Sequence, residues 1–169
     1  MTKEWIDLDE EIEALSLDEN YIYVKIGVQT VNPSLIVALS RELDPVRLEN
    51  IRDKIRENGW IDRSPKDFNL ILMPSGVYAV ANGGNHRAVA SNEFGIKEVQ
   101  ADVGTYIKKE LFYESEMEEI SYCGNQRKPL HKLLRTEKDM DKRDEIYNQL
   151  FKLTKREDEI KMSVYNRLK

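Results

Sequence analysis

The sequence is poor in the residues and runs that mark several large classes of protein. It has one cysteine, Cys123, and two histidines, so it cannot form an internal disulfide and shows no Cys/His cluster typical of a zinc site. No apolar run approaches the roughly 20 residues of a membrane span. The N-terminus is acidic, unlike that of a signal peptide. These absences predict a soluble cytoplasmic protein with no membrane contact.

An excess of positive charge is also lacking. The 169 residues carry a formal net charge of −5, which argues against an extended basic face. Binding of nucleic acid would therefore need a local basic patch that acts against the overall field. The chain is 40% hydrophobic and 34% charged, and it is long enough for one hydrophobic core with a helical appendage.

Strand and helix patterns alternate in the first part of the chain, and the pattern is helical from about residue 108 onward. β-forming runs bounded by turn residues predict strands at residues 21–31, 35–39, 68–73, 77–81 and 99–103. The turn at 74–76 joins two of these strands into a β-hairpin. The predicted limits are 1–20 for an N-terminal acidic segment, 21–107 for the central domain and 108–169 for a helical C-terminal extension.

The sequence of the C-terminal extension predicts a first helical segment that is interrupted, followed by one or two exposed amphipathic helices. Gly124 and Pro129 predict breaks in that segment, because both residues weaken a helix interior. Apolar residues then recur at helical spacing from Ile146 to Leu168. This apolar stripe needs a partner, which is either the body of the domain or a second copy of the chain.

A glycine turn stands between a predicted strand and a predicted helix. Gly83 and Gly84 allow positive φ and a close backbone approach. The helix that follows is predicted from Asn85 to Phe94, with Phe94 on its buried side. Its first turn carries His86 and Arg87 beside backbone N–H groups that have no partner within the helix. This arrangement suits a phosphate. The alternative is an ordinary β–α connection with His and Arg on the surface.

The helix predicted at 45–58 has a core face and a separate charged face. Asp44 and Pro45 are a strong helix start, and Asn58-Gly59 is a typical end. Apolar residues recur on the core face, while Arg47, Asn50 and Lys54 fall on one other side. This side is interpreted either as a solvated face or as part of a binding site.

Two blocks of sequence together resemble the ParB/sulfiredoxin superfamily. The first is the capped helix of residues 44–59. The second is the turn of residues 83–87, with Ala88, Gly95, Val99 and Val103 after it. The resemblance covers roughly residues 28–103. It implies an α+β fold with a small mixed sheet, packed helices and the added helical extension.

The resemblance also implies a nucleotide site. Sulfiredoxins have a Gly-Gly-Cys-His-Arg signature, in which the cysteine reacts and the His and Arg hold nucleotide phosphate. Asn85 stands at the cysteine position here, and an amide cannot act as a thiolate nucleophile, so sulfiredoxin activity is not expected. The nucleotide-binding residues that the resemblance implies are Arg47, Asn50, Lys54, Gly83, Gly84, Asn85, His86 and Arg87.

The expected cofactor is a nucleotide, ATP or CTP, and Mg²⁺ is left open. ParB proteins bind CTP with the same core and use a Glu-Asn-Leu-Gln-Arg segment that helps to hold magnesium. Residues 120–130 resemble that segment at Asn125, Gln126 and Arg127, but the glutamate is missing. No metal-binding residue is therefore assigned.

The resemblance leaves the reaction undecided. A free-serine kinase branch of the superfamily has a His-Arg pair on the same turn and needs a carboxylate as general base. Glu42, Asp44 and Glu57 are candidates, and the sequence does not select one. Catalytic residues stay unassigned, and an ATP-dependent phosphotransferase and an NTPase both stay open.

Three functions are compatible with the sequence. The first is a nucleotide phosphate-binding protein that acts as a phosphoryl-transfer enzyme or as a nucleotide-dependent switch. The second is a DNA-associated regulatory ParB-like protein of a mobile element. The third is a protein-binding adaptor or inhibitor that docks through the helical residues 145–168. A homodimer through the C-terminal helices is compatible with each of them.

Overall fold

The computed structural model describes residues 3–169 and confirms the α+β class. The strands are β1 (Ile6–Asp7), β2 (Tyr21–Val31), β3 (Ile36–Leu39), β4 (Asn69–Leu72), β5 (Tyr78–Val80) and β6 (Val99–Lys108). The α-helices are α1 (Leu8–Ala14), α2 (Leu17–Asn20), α3 (Pro45–Asn58), α4 (Asn85–Glu93), α5 (Glu114–Thr136) and α6 (Met140–Leu168). The strand predicted at 21–31 and the helix predicted at 45–58 are confirmed at those bounds.

The described strands form one mixed sheet in the order β1-β3-β5-β4-β6-β2. β4 and β5 are antiparallel, with Leu70 opposite Val80, which confirms the predicted hairpin. The pairs β1–β3, β3–β5 and β4–β6 are parallel. Because β3 and β5 are parallel neighbours, their carboxyl ends lie at the same edge of the sheet, and the segments leading to α3 and α4 start from that edge.

Each face of the sheet has its own hydrophobic cluster. Leu70 and Val80 pack with the buried sides of α3 and α4, whereas Ile71 and Ala79 pack with Leu8 and other residues of the N-terminal elements. Adjacent strand residues fall in different clusters because side chains alternate between the two faces of a strand. The helices α3 and α4 therefore lie side by side on one face of the sheet.

The ends of α3 have the caps that its sequence predicts. Asp44 accepts hydrogen bonds from the backbone N–H groups of Val46 (2.9 Å) and Arg47 (3.4 Å), and Pro45 occupies the first turn. At the other end Gly59 has φ of 71° and donates to the carbonyl of Ile55 (2.8 Å). These caps limit the helix at both ends, and burial of its apolar side, including Leu48 and Ile55, leaves its polar side facing outward.

Two details of the predicted helices are wrong. Phe94 does not join the buried side of α4, since its side chain is 36% exposed and lies beside the Arg56 guanidinium. The predicted breaks at Gly124 and Pro129 are absent from the described chain, because α5 runs through both residues from Glu114 to Thr136. A proline removes only its own N–H and strains one turn. Packing of α5 against α6 compensates, and three cross-helix ion pairs support it: Arg127–Glu157, Arg156–Glu119 and Arg167–Glu116.

The chain forms two compact units, one ending at Ile107 and the other comprising Lys108–Lys169. The described part of the acidic N-terminal segment belongs to the first unit, where Leu8 and Leu17 are buried in the core. The second unit is the hairpin of α5 and α6. No helix among the described residues is both long and apolar enough to cross a membrane.

Candidate anion-binding cleft

A cleft of about 410 Å³ lies where the polar side of α3 faces the glycine turn before α4. It is lined by Arg47, Asn50, Ile51, Lys54, Asp67, Gly83, Gly84, His86 and Arg87. Its size is within the range of small-molecule sites. The structure therefore brings together seven of the eight residues that the sequence implies for nucleotide binding, and only Asn85 does not line the cleft. Their role as ligands stays a prediction.

Two of the lining cations have no partner among the residues that the structure describes. Among residues 3–169, no hydrogen-bond acceptor or carboxylate contacts the side chains of Arg47 and Lys54, and both side chains are exposed. The other side of α3 differs, because Arg52 bonds Glu49 and Glu93, and Arg56 bonds Glu49 and Asp53. The cations of α3 that have no partner among the described residues, Arg47 and Lys54, thus lie on the side that faces the glycine turn.

The glycine turn needs glycine at both positions. A Cβ on Gly83 would lie 2.7 Å from the carbonyl oxygen of Asp67, and one on Gly84 would lie 2.5 Å from the Phe68 ring. Gly84 also has φ of 108°, which L side chains rarely adopt. A backbone hydrogen bond holds the turn close to the neighbouring segment, since Asn69 N donates to Gly83 O (2.9 Å). The turn therefore sits directly against the segment that carries Asp67.

The first amides of α4 have no side-chain cap. Gly84 is the N-cap residue and offers no side chain, whereas Asp44 caps α3 and Asp139 caps α6 with carboxylates. The first N–H groups of a helix have no acceptor within the helix and carry the positive end of its dipole. Gly84 and His86 at this N-terminus line the same cleft as the two unpaired cations, so one anion bound in the cleft could contact both groups.

Asn85 and His86 have structural partners. The Asn85 side chain is buried, accepts from Ser40 N (2.9 Å) and donates to Ser40 Oγ (3.2 Å), which ties α4 to the end of β3. His86 Nε2 accepts from Asp44 N (2.8 Å), which ties α4 to the start of α3. An imidazole that accepts at Nε2 in this way is uncharged and has its proton on Nδ1. His86 can therefore offer a ligand one N–H donor but no charge.

Arg87 is partly engaged as well. Its Nη1 donates to the carbonyls of Arg63 (2.8 Å) and Ser64 (3.3 Å) and so fixes the loop between α3 and β4. A guanidinium has five N–H donors, so those on Nε and Nη2 stay available to a ligand. Arg87 thus serves both as a wall of the cleft and as a support for the neighbouring loop.

Asp67 is a lining residue that the sequence analysis missed. It follows Pro65 in a short 3-10 turn, and the sequence has no signal that places it near the glycine turn. Of the three carboxylates proposed as general bases, Asp44 is used as the α3 cap, Glu57 lines a neighbouring hollow, and Glu42 lines neither cavity. Asp67 is the acidic residue among those that line this cleft, which makes it a further candidate for accepting a proton or contacting a cation bound with the phosphate.

A second hollow of about 480 Å³ adjoins the cleft. The two cavities share Ile51, Lys54 and Arg87. The second hollow is more apolar, with Trp60 and Ile61 from the loop that follows α3. The two cavities together form one continuous surface along α3.

The residues that resemble the ParB magnesium segment lie in the second unit. Asn125, Gln126 and Arg127 are on α5, where Arg127 forms an ion pair with Glu157 at 2.8 Å. Burial raises the pKa of the nearby Cys123 thiol, which keeps it in the unreactive protonated form. Within residues 3–169, no group of three or more His, Cys, Asp and Glu side chains is placed to hold a metal ion.

The fold and the cleft define an α+β protein with a cationic, glycine-walled cavity beside a helix N-terminus. No model of a known protein family matches the chain. No curated protein matches it either. The resemblance to the ParB/sulfiredoxin superfamily therefore stays a prediction based on the two sequence blocks.

Proposed function

We propose that the cleft between α3 and the glycine turn binds the phosphate groups of a nucleotide, with ATP and CTP as the first candidates. The carrying observation is that Arg47 and Lys54, both unpaired within the described chain, face the uncapped N-terminus of α4. Membership of the ParB/sulfiredoxin superfamily and a cytoplasmic location belong to the same proposal.

Each group in the cleft has a defined part in this proposal. The backbone amides at the start of α4 donate to one phosphate, as helix N-termini commonly do. Arg47 and Lys54 approach from the opposite wall and supply the charge. His86 adds an uncharged donor, and Arg87 adds its free N–H groups. Asp67, which also lines the cleft, is the candidate general base for a phosphoryl-transfer or hydrolytic step, in which a carboxylate would accept the proton of the attacking hydroxyl or water.

A favourable free energy of phosphate binding depends on the two unpaired cations. A cation that already forms an ion pair must lose that partner before it binds a ligand, and the loss offsets the gain. Arg47 and Lys54 have no such cost. By the usual strength of hydrogen bonds to charged groups, each should contribute about 1.5 kcal/mol to phosphate binding, or roughly tenfold in affinity.

Isothermal titration with tripolyphosphate, ATP and CTP, with and without Mg²⁺, tests the proposal. We expect binding of all three ligands and a roughly tenfold loss in Arg47→Ala and in Lys54→Ala. Arg56→Ala is the matched control, since Arg56 lies on the same helix and is paired with Glu49 and Asp53. An absence of binding by every ligand, or equal losses in the control, would show that the cleft is not a phosphate site.

A further inference from the structure

One side of the second unit carries apolar side chains that face solvent. Four apolar residues of α6, which packs along α5, are buried: Ile146, Leu150, Ile160 and Val164. On α5, by contrast, Tyr122 is 59% exposed, Leu133 is 50% exposed, and Pro129 between them is exposed as well. The spacing of these three residues follows the helical repeat, so they lie on one side of α5 and form an exposed apolar stripe, the α5 stripe.

A groove of about 370 Å³ lies beside the α5 stripe, between the two helices. Tyr122 and Pro129 line it from α5, and the partly buried Leu130 and Leu153 line it from α5 and α6. Helices pack by fitting the ridges of side chains on one helix into the grooves on another. The stripe and the groove therefore form a surface on which a further helix can pack.

The charges of α5 are separated by sign along the helix. Its Glu residues all precede its Arg and Lys residues: Glu114, Glu116, Glu118 and Glu119, then Arg127, Lys128, Lys132 and Arg135. Three of these side chains form ion pairs with α6: Glu116, Glu119 and Arg127. The other five are exposed and have no ion pair with any residue from 3 to 169: Glu114, Glu118, Lys128, Lys132 and Arg135. The exposed surface of α5 is thus acidic towards its N-terminus and basic towards its C-terminus.

A surface with this charge pattern is complementary to a second copy of itself. A two-fold axis perpendicular to α5 makes the two copies of the helix antiparallel, so residues equally far from the central Asn125 lie opposite each other. Glu118 then faces Lys132 of the second copy, and the symmetry makes this contact twice. Glu118 lies one turn before Tyr122 and so flanks the α5 stripe. A parallel arrangement would place Glu118 opposite its own copy, and repulsion between like charges disfavours it.

We infer that the exposed side of α5 is a homodimer interface, in which the α5 stripes of two copies pack antiparallel and the two hairpins form a four-helix bundle. The apolar contacts of Tyr122 and Leu133 supply most of the affinity, and the charges select the orientation. The partner is a second copy of the chain because one surface carries both halves of the charge pairing, as an isologous interface requires. This inference is independent of phosphate binding in the cleft.

Sedimentation equilibrium of the full-length chain tests the inference. We expect a species of twice the chain mass of 19.8 kDa within a concentration range of about 1–100 µM. Tyr122→Ser should raise the dissociation constant of the dimer roughly tenfold or more, because buried aromatic side chains dominate the affinity of interfaces. Phe151→Ser is the matched control, since Phe151 is 67% exposed on α6 but does not line the groove.

Helical circular dichroism establishes that both variants are folded before their association is compared. A chain that is monomeric at every concentration would overturn the inference and leave the α5 stripe to a different partner. Equal losses of association in Tyr122→Ser and Phe151→Ser would also overturn it.

Reversal of charge tests the antiparallel pairing directly. Glu118→Lys and Lys132→Glu should each weaken the dimer roughly tenfold, because each places like charges opposite each other twice. An equimolar mixture of the two variants should associate again, since each then meets the opposite charge on the other. The double variant E118K/K132E should dimerise like the original chain. Association that charge reversal leaves unchanged, or that neither the mixture nor the double variant restores, would overturn the antiparallel interface.

Discussion

Asn85, His86 and Arg87 are adjacent in the sequence, and each side chain holds a different segment. Asn85 holds Ser40 after β3, His86 holds Asp44 at the start of α3, and Arg87 holds the loop at Arg63. The resemblance to the ParB/sulfiredoxin superfamily implies that these residues contact a nucleotide. Their hydrogen bonds show that they also position both walls of the cleft, so substitutions here would affect stability as well as binding.

The glycine turn that precedes these residues allows a prediction about the stability of the fold. Gly84→Ala should destabilise the fold by about 2 kcal/mol, because it combines a strained φ with a clash against a buried ring. The positive φ is 108°, and the new Cβ would lie 2.5 Å from the Phe68 ring. The free energy of unfolding from urea titration measures the loss.

Gly76→Ala separates the two causes of that loss. Gly76 also has positive φ, of 89°, but a Cβ there meets nothing within 4 Å. Its substitution should therefore cost only the backbone strain, about 1 kcal/mol. Equal costs at the two positions would mean that the contact with Phe68 contributes nothing.

At the scale of elements, α3 is organised by its charges. One side carries the network of Arg52 and Arg56 with Glu49, Asp53 and Glu93, and Glu93 belongs to α4. This network joins the two helices that form the cleft. The side facing the glycine turn has cations without partners in the described chain. The same helix therefore uses paired charges for structure and leaves unpaired ones for a ligand.

The Arg52–Glu93 pair predicts acid sensitivity. The hydrogen bond from Arg52 holds the pKa of Glu93 below its ordinary value of 4.5. A depressed carboxyl pKa adds stability above the unfolded-state pKa and loses it as the pH falls through the folded-state value. Glu93→Gln should therefore cost about 0.5 kcal/mol at pH 7, a small value because the pair is partly exposed.

Urea titrations at pH 7 and near pH 3.5 check this prediction. The difference between Glu93→Gln and the original chain should shrink at the lower pH, because the carboxylate is increasingly protonated below its ordinary pKa of 4.5 and then loses its charge-assisted bond to Arg52. Glu98→Gln, at an exposed glutamate without an ion pair in the described chain, is the control and should show no such change. A difference in stability that stays constant with pH would show that the ion pair is not its cause.

A proline inside α5 allows a prediction about the stability of the second unit. Pro129 lies inside the helix, where it has no N–H to donate and crowds the preceding turn. Pro129→Ala should therefore stabilise the unit by up to about 3 kcal/mol, the amount by which proline is less favourable than alanine in a helix interior. Thermal unfolding followed by helical circular dichroism measures the gain. Ser121→Ala, at an exposed position of the same helix, should change stability far less, and an equal gain there would point to helix propensity alone.

At the scale of the whole molecule, the cleft acts against the net charge. The chain carries −5 overall, while the cleft holds the side chains of Arg47, Lys54 and Arg87 with one carboxylate, Asp67. Anions are therefore attracted locally and repelled at long range. This arrangement favours small, highly charged ligands that can enter the cleft over extended polyanions that must lie along the surface.

Salt should weaken ligand binding for the same reason. Raising the ionic strength from about 0.05 M to about 0.5 M shortens the screening length to a few ångström and should lower tripolyphosphate affinity roughly threefold or more. Calorimetry at both salt concentrations measures the change. Arg47→Ala should show a shallower dependence, since it has one fewer charge to screen. Affinity that is independent of salt would contradict a charge-based site.

Local sequence was sufficient for much of the fold. The caps at Asp44 and Gly59 and the strand at 21–31 depend on neighbours in the chain, and all were predictable from residue types. The breaks predicted at Gly124 and Pro129 failed because packing of α5 on α6 outweighs a local helix penalty. Local propensity is a weak preference that tertiary contacts can override.

For the candidate site, the sequence alone determined which residues are chemically suited to a phosphate: the two glycines, the basic pair after them and the polar side of α3. Only the tertiary structure decided that these segments share one cleft, that Asp67 lies inside it, and that Asn85 is turned into the core. The physical reason is that residue chemistry and helix periodicity are local properties. Which charges find partners depends on contacts between segments far apart in the chain, as the 41-residue separation of Arg52 and Glu93 shows.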